Sequence, residues 1–260
     1  ADGYMLGDVE YEPQTITVRG PASVLDSIDK VYAEVSLTDM DATRTVDVPY
    51  LLLDADGNEI SQEGLEFDFN TISVTIPISK MKDVPIYVTL IEGAGATREN
   101  TEINRSVTSI TIAGEASVVD GINRIEVGPV DLTRFELTYE DTLDIVLPND
   151  VENISGIEEV DVTVEVTGLA VRDFVVTNIS STGLPEGYSA ELMTHSLTVT
   201  IRGPEEALSE LTSANIRAVA DLSKTTATGT MDTSNVDIEV DGALNCGAVG
   251  TYRLTYDISR

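Results

Sequence analysis

The chain has 260 residues, 46 acidic and 15 basic, for a formal net charge of -31, and 42% of it is hydrophobic. That hydrophobic share supports packed cores, so the charge marks a solvated surface rather than a disordered chain. A surface of this sign repels phosphate backbones and anionic membranes, and the single cysteine, Cys246, excludes an internal disulfide or a cysteine-based zinc cluster.

Two or three domains are expected at this length. The opening "ADGYMLGDVEYE" has neither the basic region nor the apolar run of a signal peptide, and no run of 18 apolar residues follows it. In "TITVRGPASVLDSI", Ile16 and Val18 alternate as in a strand that ends at Arg19, Gly20 and Pro21. The glycine is expected to take backbone angles closed to other residues, and the proline to hold the first helical position. Val24, Leu25 and Ile28 then recur at helical spacing, and a further strand closes at Leu37.

"YLLLDADGNEI" predicts two extended runs around an Asp-Gly turn, and "TISVTIPI" another strand. Asp54, Asp56 and Glu63 resemble a calcium loop, but setting Gly57 at its sixth position puts Leu52 where the first carboxylate belongs; a hairpin turn is expected. After the joint "SKMKD" the strand "VPIYVTLIEG" opens a second unit, and "EGAGAT" at 92–97 is a loop without the third glycine of a dinucleotide site.

The motif returns as "ITIAGEASVVDGINRIEVGPVDL" around Gly114 and Glu115, closing at Leu132; "EEVDVTVEV" places Val160, Val162, Val164 and Val166 on one face. Past the joint "TGLAVRD" it appears again as "VTIRGPEEALSELTSANIRAVADL", with Arg202, Gly203 and Pro204. Glu205 and Glu206 suit the first turn of a helix whose apolar face is Ala207, Leu208 and Leu211, and the copy closes at Leu222. His195 stands alone before this strand with no G-x-S-x-G elbow, and "TYRLTYDIS" ends the chain. No acidic pair is singled out as a hydrolase site, and the absence of tryptophan is poor material for carbohydrate stacking.

Gly20, Gly114 and Gly203 lie 94 and 89 residues apart, a domain-sized period. The expected architecture is mainly β: three tandem antiparallel β domains at 1–83, 84–170 and 171–260, each with one short helix, on short joints that give an elongated rod. Arg19, Gly20, Pro21, Gly114, Arg202, Gly203 and Pro204 are strand-to-helix punctuation, and no catalytic residue, cofactor or metal ligand is assigned.

The strand, the V-x-G-P step, the short helix of "VLDSIDKV" character and the strand closing in "SL" or "DL" resemble the YbbR domain. All three copies carry it, although "IAGEAS" in the second lacks both arginine and proline. The resemblance implies β-rich domains in tandem on the outer side of the membrane of Gram-positive bacteria. It implies a partner, the membrane-bound diadenylate cyclase, reached through an upstream membrane segment or the ectodomain, whose cyclic di-AMP synthesis such proteins modulate without being enzymes. Neither nucleic acid nor a small-molecule substrate is expected. The alternative is a structural or adhesive rod at the cell surface.

Register adds one expectation. The second and third copies place a leading strand 30 and 32 residues before their glycines, at Val84 and Val171, whereas only 19 residues precede Gly20. The first copy therefore lacks a strand of 11 to 13 residues by comparison. The natural protein is expected to continue upstream through it to an N-terminal transmembrane helix of about 20 residues, leaving an unpaired edge in the first domain.

Overall fold

The computed structural model describes residues 2–242 and 245–260. The described residues are mainly β, with three short α-helices, α1 (Ala22–Leu25), α2 (Ala116–Gly121) and α3 (Glu205–Glu210). It divides into two compact units: Ala1–Pro85 with Ser109–Ile125 and Leu147–Ile157, and Ile86–Thr108 with Glu126–Val146 and Glu158–Arg260.

One connectivity recurs three times. Each helix follows a motif strand: Val18–Arg19, Ser109–Gly114 and Leu197–Gly203. On one side each motif strand carries a short late strand, respectively Glu66–Phe67, Val151–Asn153 and Gly247–Val249. Each copy also has an antiparallel three-stranded sheet: Glu10–Glu12, Thr71–Ile76 and Arg44–Pro49; Thr101–Arg105, Glu159–Val166 and Thr138–Asp144; Ser189–Leu192, Leu254–Ser259 and Gly229–Thr233. The central strands alternate as their sequences demand. Ile72, Val74 and Ile76, then Val160, Val162, Val164 and Val166, then Leu254, Tyr256 and Ile258 turn one face inward and leave their partners wet. A fully buried side chain of this size contributes about 1.5–3 kcal/mol.

The leading strands differ from expectation. The expected joint "SKMKD" lies within a strand, Ile78–Ile91, in which Lys80, Met81, Lys82 and Asp83 pair antiparallel with Gly114, Ala113, Ile112 and Thr111. Its amphipathic lysines allow this. Lys80 reaches the Asp120 carboxylate at 2.5 Å and Lys82 donates to the Ile122 carbonyl at 2.6 Å, so the stems cover the sheet while the charges are satisfied on α2 and its exit. In the third copy the leading strand Ala170–Val176 pairs antiparallel with Leu197–Gly203. After two residues the chain resumes as Ile179–Thr182, parallel to Ile216–Asp221. That parallel pair is an exception within the predominantly antiparallel architecture; it arises because the leading segment passes from the motif strand to the strand beyond the helix.

"YLLLDADGNEI" is the expected hairpin. Leu51–Leu53 pairs with Glu59–Ile60, Gly57 has φ +83°, and the Asp54 carboxylate accepts the backbone N–H groups of Asp56 and Asn58 at 3.0 and 2.8 Å.

Candidate functional site

The strongest polar constellation outside the regular ladders surrounds the third motif. Arg202 points to the face of Leu197–Gly203 opposite the core residues Val199 and Ile201, and is completely buried there. Its Nε donates to the Ala94 carbonyl at 3.0 Å, Nη1 to Phe135 and Glu136 at 3.0 and 2.8 Å, and Nη2 to Gly93 and Leu132 at 2.9 and 2.7 Å. A guanidinium has five N–H bonds, so every donor is used. The Phe135 ring lies 5.9 Å from the guanidinium carbon.

Two segments shape this receptor. At 93–96 the backbone closes on itself through reciprocal Gly93 and Ala96 hydrogen bonds of 3.0 Å, with φ +50° at Ala94 and +75° at Gly95, the conformation of a tight hairpin turn. This is the expected "EGAGAT" loop, and its exposed carbonyls are what the arginine takes. The second segment follows Asp131, whose Oδ1 accepts Thr133 N–H and O–H at 3.0 and 2.7 Å and fixes the corner.

Glycine lets the pieces approach. A Cβ on Gly95 would stand 2.4 Å from the Asn245 carbonyl oxygen, and one on Gly247 would stand 2.7 Å from Ala94 Cα. Among the described residues no carboxylate pairs with the guanidinium, and burial lowers its pKa to about 10. It stays charged at neutral pH, held by five carbonyl dipoles at about 1.5–3 kcal/mol for each charged hydrogen bond. The arrangement is a clamp between a strand and two turns, with no N–H left to bind an anion.

The other motif residues fall differently. Arg19 is exposed on a two-residue strand, and Ala113 stands at the corresponding place of the second copy. Gly20, Gly114 and Gly203 do not have positive φ. Their expected conformational role is corrected to one of space: a Cβ would meet Leu65 Cδ2 at 2.3 Å, the Asp150 carbonyl oxygen at 2.8 Å and Cys246 Sγ at 2.3 Å.

Pro21 and Pro204 sit one residue before the helix with extended ψ of 134° and 139°, and Glu115 takes the same place in the second copy instead of the first turn. Their carbonyls accept the first helical N–H bonds, as from Leu208 to Pro204 at 3.0 Å. Glu205 and Glu206 do occupy the first turn, and Leu208 and Leu211 are buried as the helical face.

His195 is exposed between two strands. Cys246 lies against Gly203, where burial pushes its thiol pKa up, away from a reactive thiolate. Among the described residues no three His, Cys, Asp or Glu side chains are grouped to hold a metal ion, and no helix is long and apolar enough to cross a membrane.

The sequence model of the YbbR-like proteins matches residues 1–76 and 174–249, the stretches that carry the first and third motifs. The chain belongs to the YbbR-like family. It is also 25% identical over 228 residues to the CdaA regulatory protein CdaR of Bacillus subtilis (strain 168), a match covering 85% of this chain and 46% of that protein. The chain thus spans about half the length of this curated relative. Among solved structures, a Streptococcus thermophilus protein determined in solution is 22% identical, over 34% of this chain and 85% of its own, with a TM-score of 0.29. A crystal structure of a YbbR-like protein from Streptococcus pneumoniae TIGR4 is 12% identical, over 70% and 94%, with a TM-score of 0.27.

Proposed function

We propose that this protein is a non-enzymatic regulator of a membrane-bound diadenylate cyclase, built from three YbbR-like repeats at 1–83, 84–170 and 171–260. The repeats lie on the extracytoplasmic side and are anchored by an upstream transmembrane helix. The observation that carries the reading is the 25% identity to a protein named as the regulator of CdaA, maintained over 85% of the chain. The chemistry of the motif supports it. The arginine, glycine and proline residues build corners and a clamp, and the fully buried Arg202 spends its donors on backbone carbonyls. Its work is to hold elements of the fold together, as a protein-binding scaffold requires.

The test is co-expression of the full-length gene with the cyclase of the same genome. Co-purification, together with a cyclic di-AMP level that changes when this gene is deleted and returns on complementation, is the expected result. An unchanged nucleotide level with altered attachment or envelope properties would favour a surface rod instead.

A further inference from the structure

The first copy contains an open slot where the other two contain a strand. In the second copy, residues 80–85 pair with the motif strand and the same strand, Ile78–Ile91, also pairs with Ile125–Asp131; Leu132 donates its N–H to the Ile91 carbonyl at 3.0 Å. In the third copy, Ala170–Val176 pairs with the motif strand and Ile179–Thr182 with Ile216–Asp221, and Leu222 donates to the Thr182 carbonyl at 2.9 Å. Each time the segment immediately upstream covers first the motif strand, then the strand after the helix, and finally caps the closing leucine.

Among the described residues nothing does this in the first copy. Val18–Arg19 pairs only with Glu66–Phe67, Lys30–Tyr32 pairs only with Leu51–Leu53, and residues 33–37 join no strand. Exposure records the consequence. Leu132 and Leu222 are 0% and 5% exposed, but Leu37 is 45% exposed; Ile216 is 0% exposed, but its counterpart Val31 is 43% exposed. Beside this edge runs an apolar groove of about 690 Å³, floored by the core residues Ile72, Val74 and Ile76 and walled by Ile16, Val35 and Leu37.

We propose that this groove is the seat of an extended segment of the same polypeptide, about a dozen residues long, lying directly upstream of residue 1. It pairs antiparallel with Val18–Arg19 and runs parallel beside residues 33–36. Three observations select this occupant over a second copy or a separate partner. In both filled copies the strand comes from the residues just preceding the copy, and in the third its hand-over from an antiparallel to a parallel neighbour is what a chain entering from that side performs. The first copy retains the next element, Glu10–Glu12 on Thr71–Ile76, in the position of Ser189–Leu192 on Leu254–Ser259. The match covers 46% of CdaR, so this relative is longer than the matched stretch. The occupant should alternate apolar residues as Val84, Ile86 and Val88 do, all at most 1% exposed. The inference stands on the fold and holds whether or not the cyclase reading does.

The experiment compares the 260-residue chain with the same chain extended upstream by its native sequence. Amides of residues 18–19 and 33–37 should exchange at least ~10-fold more slowly in the extended chain, while those of 197–222 stay unchanged. Leu37→Asp should lower the unfolding midpoint of the extended chain by several degrees and leave the shorter chain within about a degree. Equal exchange of the two chains at 33–37, or an equal response to the substitution, would overturn the proposal. So would a dimer of the shorter chain in sedimentation with these amides already protected, since a second copy would then fill the slot.

Discussion

The first and third copies spell the same three residues, Arg-Gly-Pro, and use them differently. Both place arginine at the end of a strand, glycine against a neighbouring strand and proline ahead of a helix. Yet Arg202 is fully buried with five carbonyl acceptors, while Arg19 is exposed. The difference lies outside the motif, in the turns at 93–96 and 132–136 that receive the third copy's arginine. A short sequence signature thus specifies a corner of the fold; what its charged residue does depends on the elements brought up to it.

Substituting the arginines gives the largest contrast. Arg202→Met should cost about 3–5 kcal/mol, because five backbone acceptors lose their donor inside the structure. Arg19→Met should stay within about 0.5 kcal/mol, as for an exposed residue away from any such contact. Urea unfolding of the two variants checks this, and equal costs would mean that burial does not distinguish the copies. Arg202→Lys should recover only part of the loss, since an ammonium has three donors and no fork.

The glycines give a smaller, graded effect. Gly114→Ala should be the most damaging, by about 1–3 kcal/mol, because its Cβ would press on the Asp150 backbone oxygen. Gly203→Ala, against Cys246, should follow. Gly20→Ala should cost least, because only the end of the Leu65 side chain must move.

The smallest effect concerns the residue before each closing leucine. Asp221 accepts Ser223 N–H at 2.8 Å and Asn235 Nδ2 at 2.9 Å, Asp131 holds the matching corner of the second copy, and the first copy has Ser36, whose Oγ is 3.5 Å from Thr38 N. Hydrogen bonds from Ser223, first of all its backbone N–H, hold the Asp221 carboxyl below its ordinary 3.8. Its contribution is therefore complete above pH 3.8 and is lost as pH falls below that value. Asp221→Asn should be less stable than the parent at neutral pH, with the gap closing in acid. A gap that widened in acid would reverse the assignment.

Much of this was legible from residue patterns. Alternating valines at 160–166 and the Ile-Thr-Val and Val-Thr-Ile runs announce strands, and the glycine period announces the repetition, because each is a side-chain pattern imposed by burial. The arginine clamp was not legible, since its acceptors are backbone carbonyls that any residues could supply; only the Gly-Ala-Gly turn hinted at a special backbone. The lysines of "SKMKD" suggested a joint because charged residues seldom line a strand inside a fold, and the structure shows them satisfied on α2 and its exit. The motif glycines were assigned to conformation when their role is space, a distinction that needs the neighbouring strand to be seen.

Hydrogen exchange of the 260-residue chain, resolved to single amides, tests the comparison most directly. Slow exchange is expected through Leu197–Gly203 and Ile216–Asp221, paired on both sides, and exchange faster by at least ~10-fold at 18–19 and 30–37, which lack the leading segment. Equal protection of the two copies would contradict this expectation.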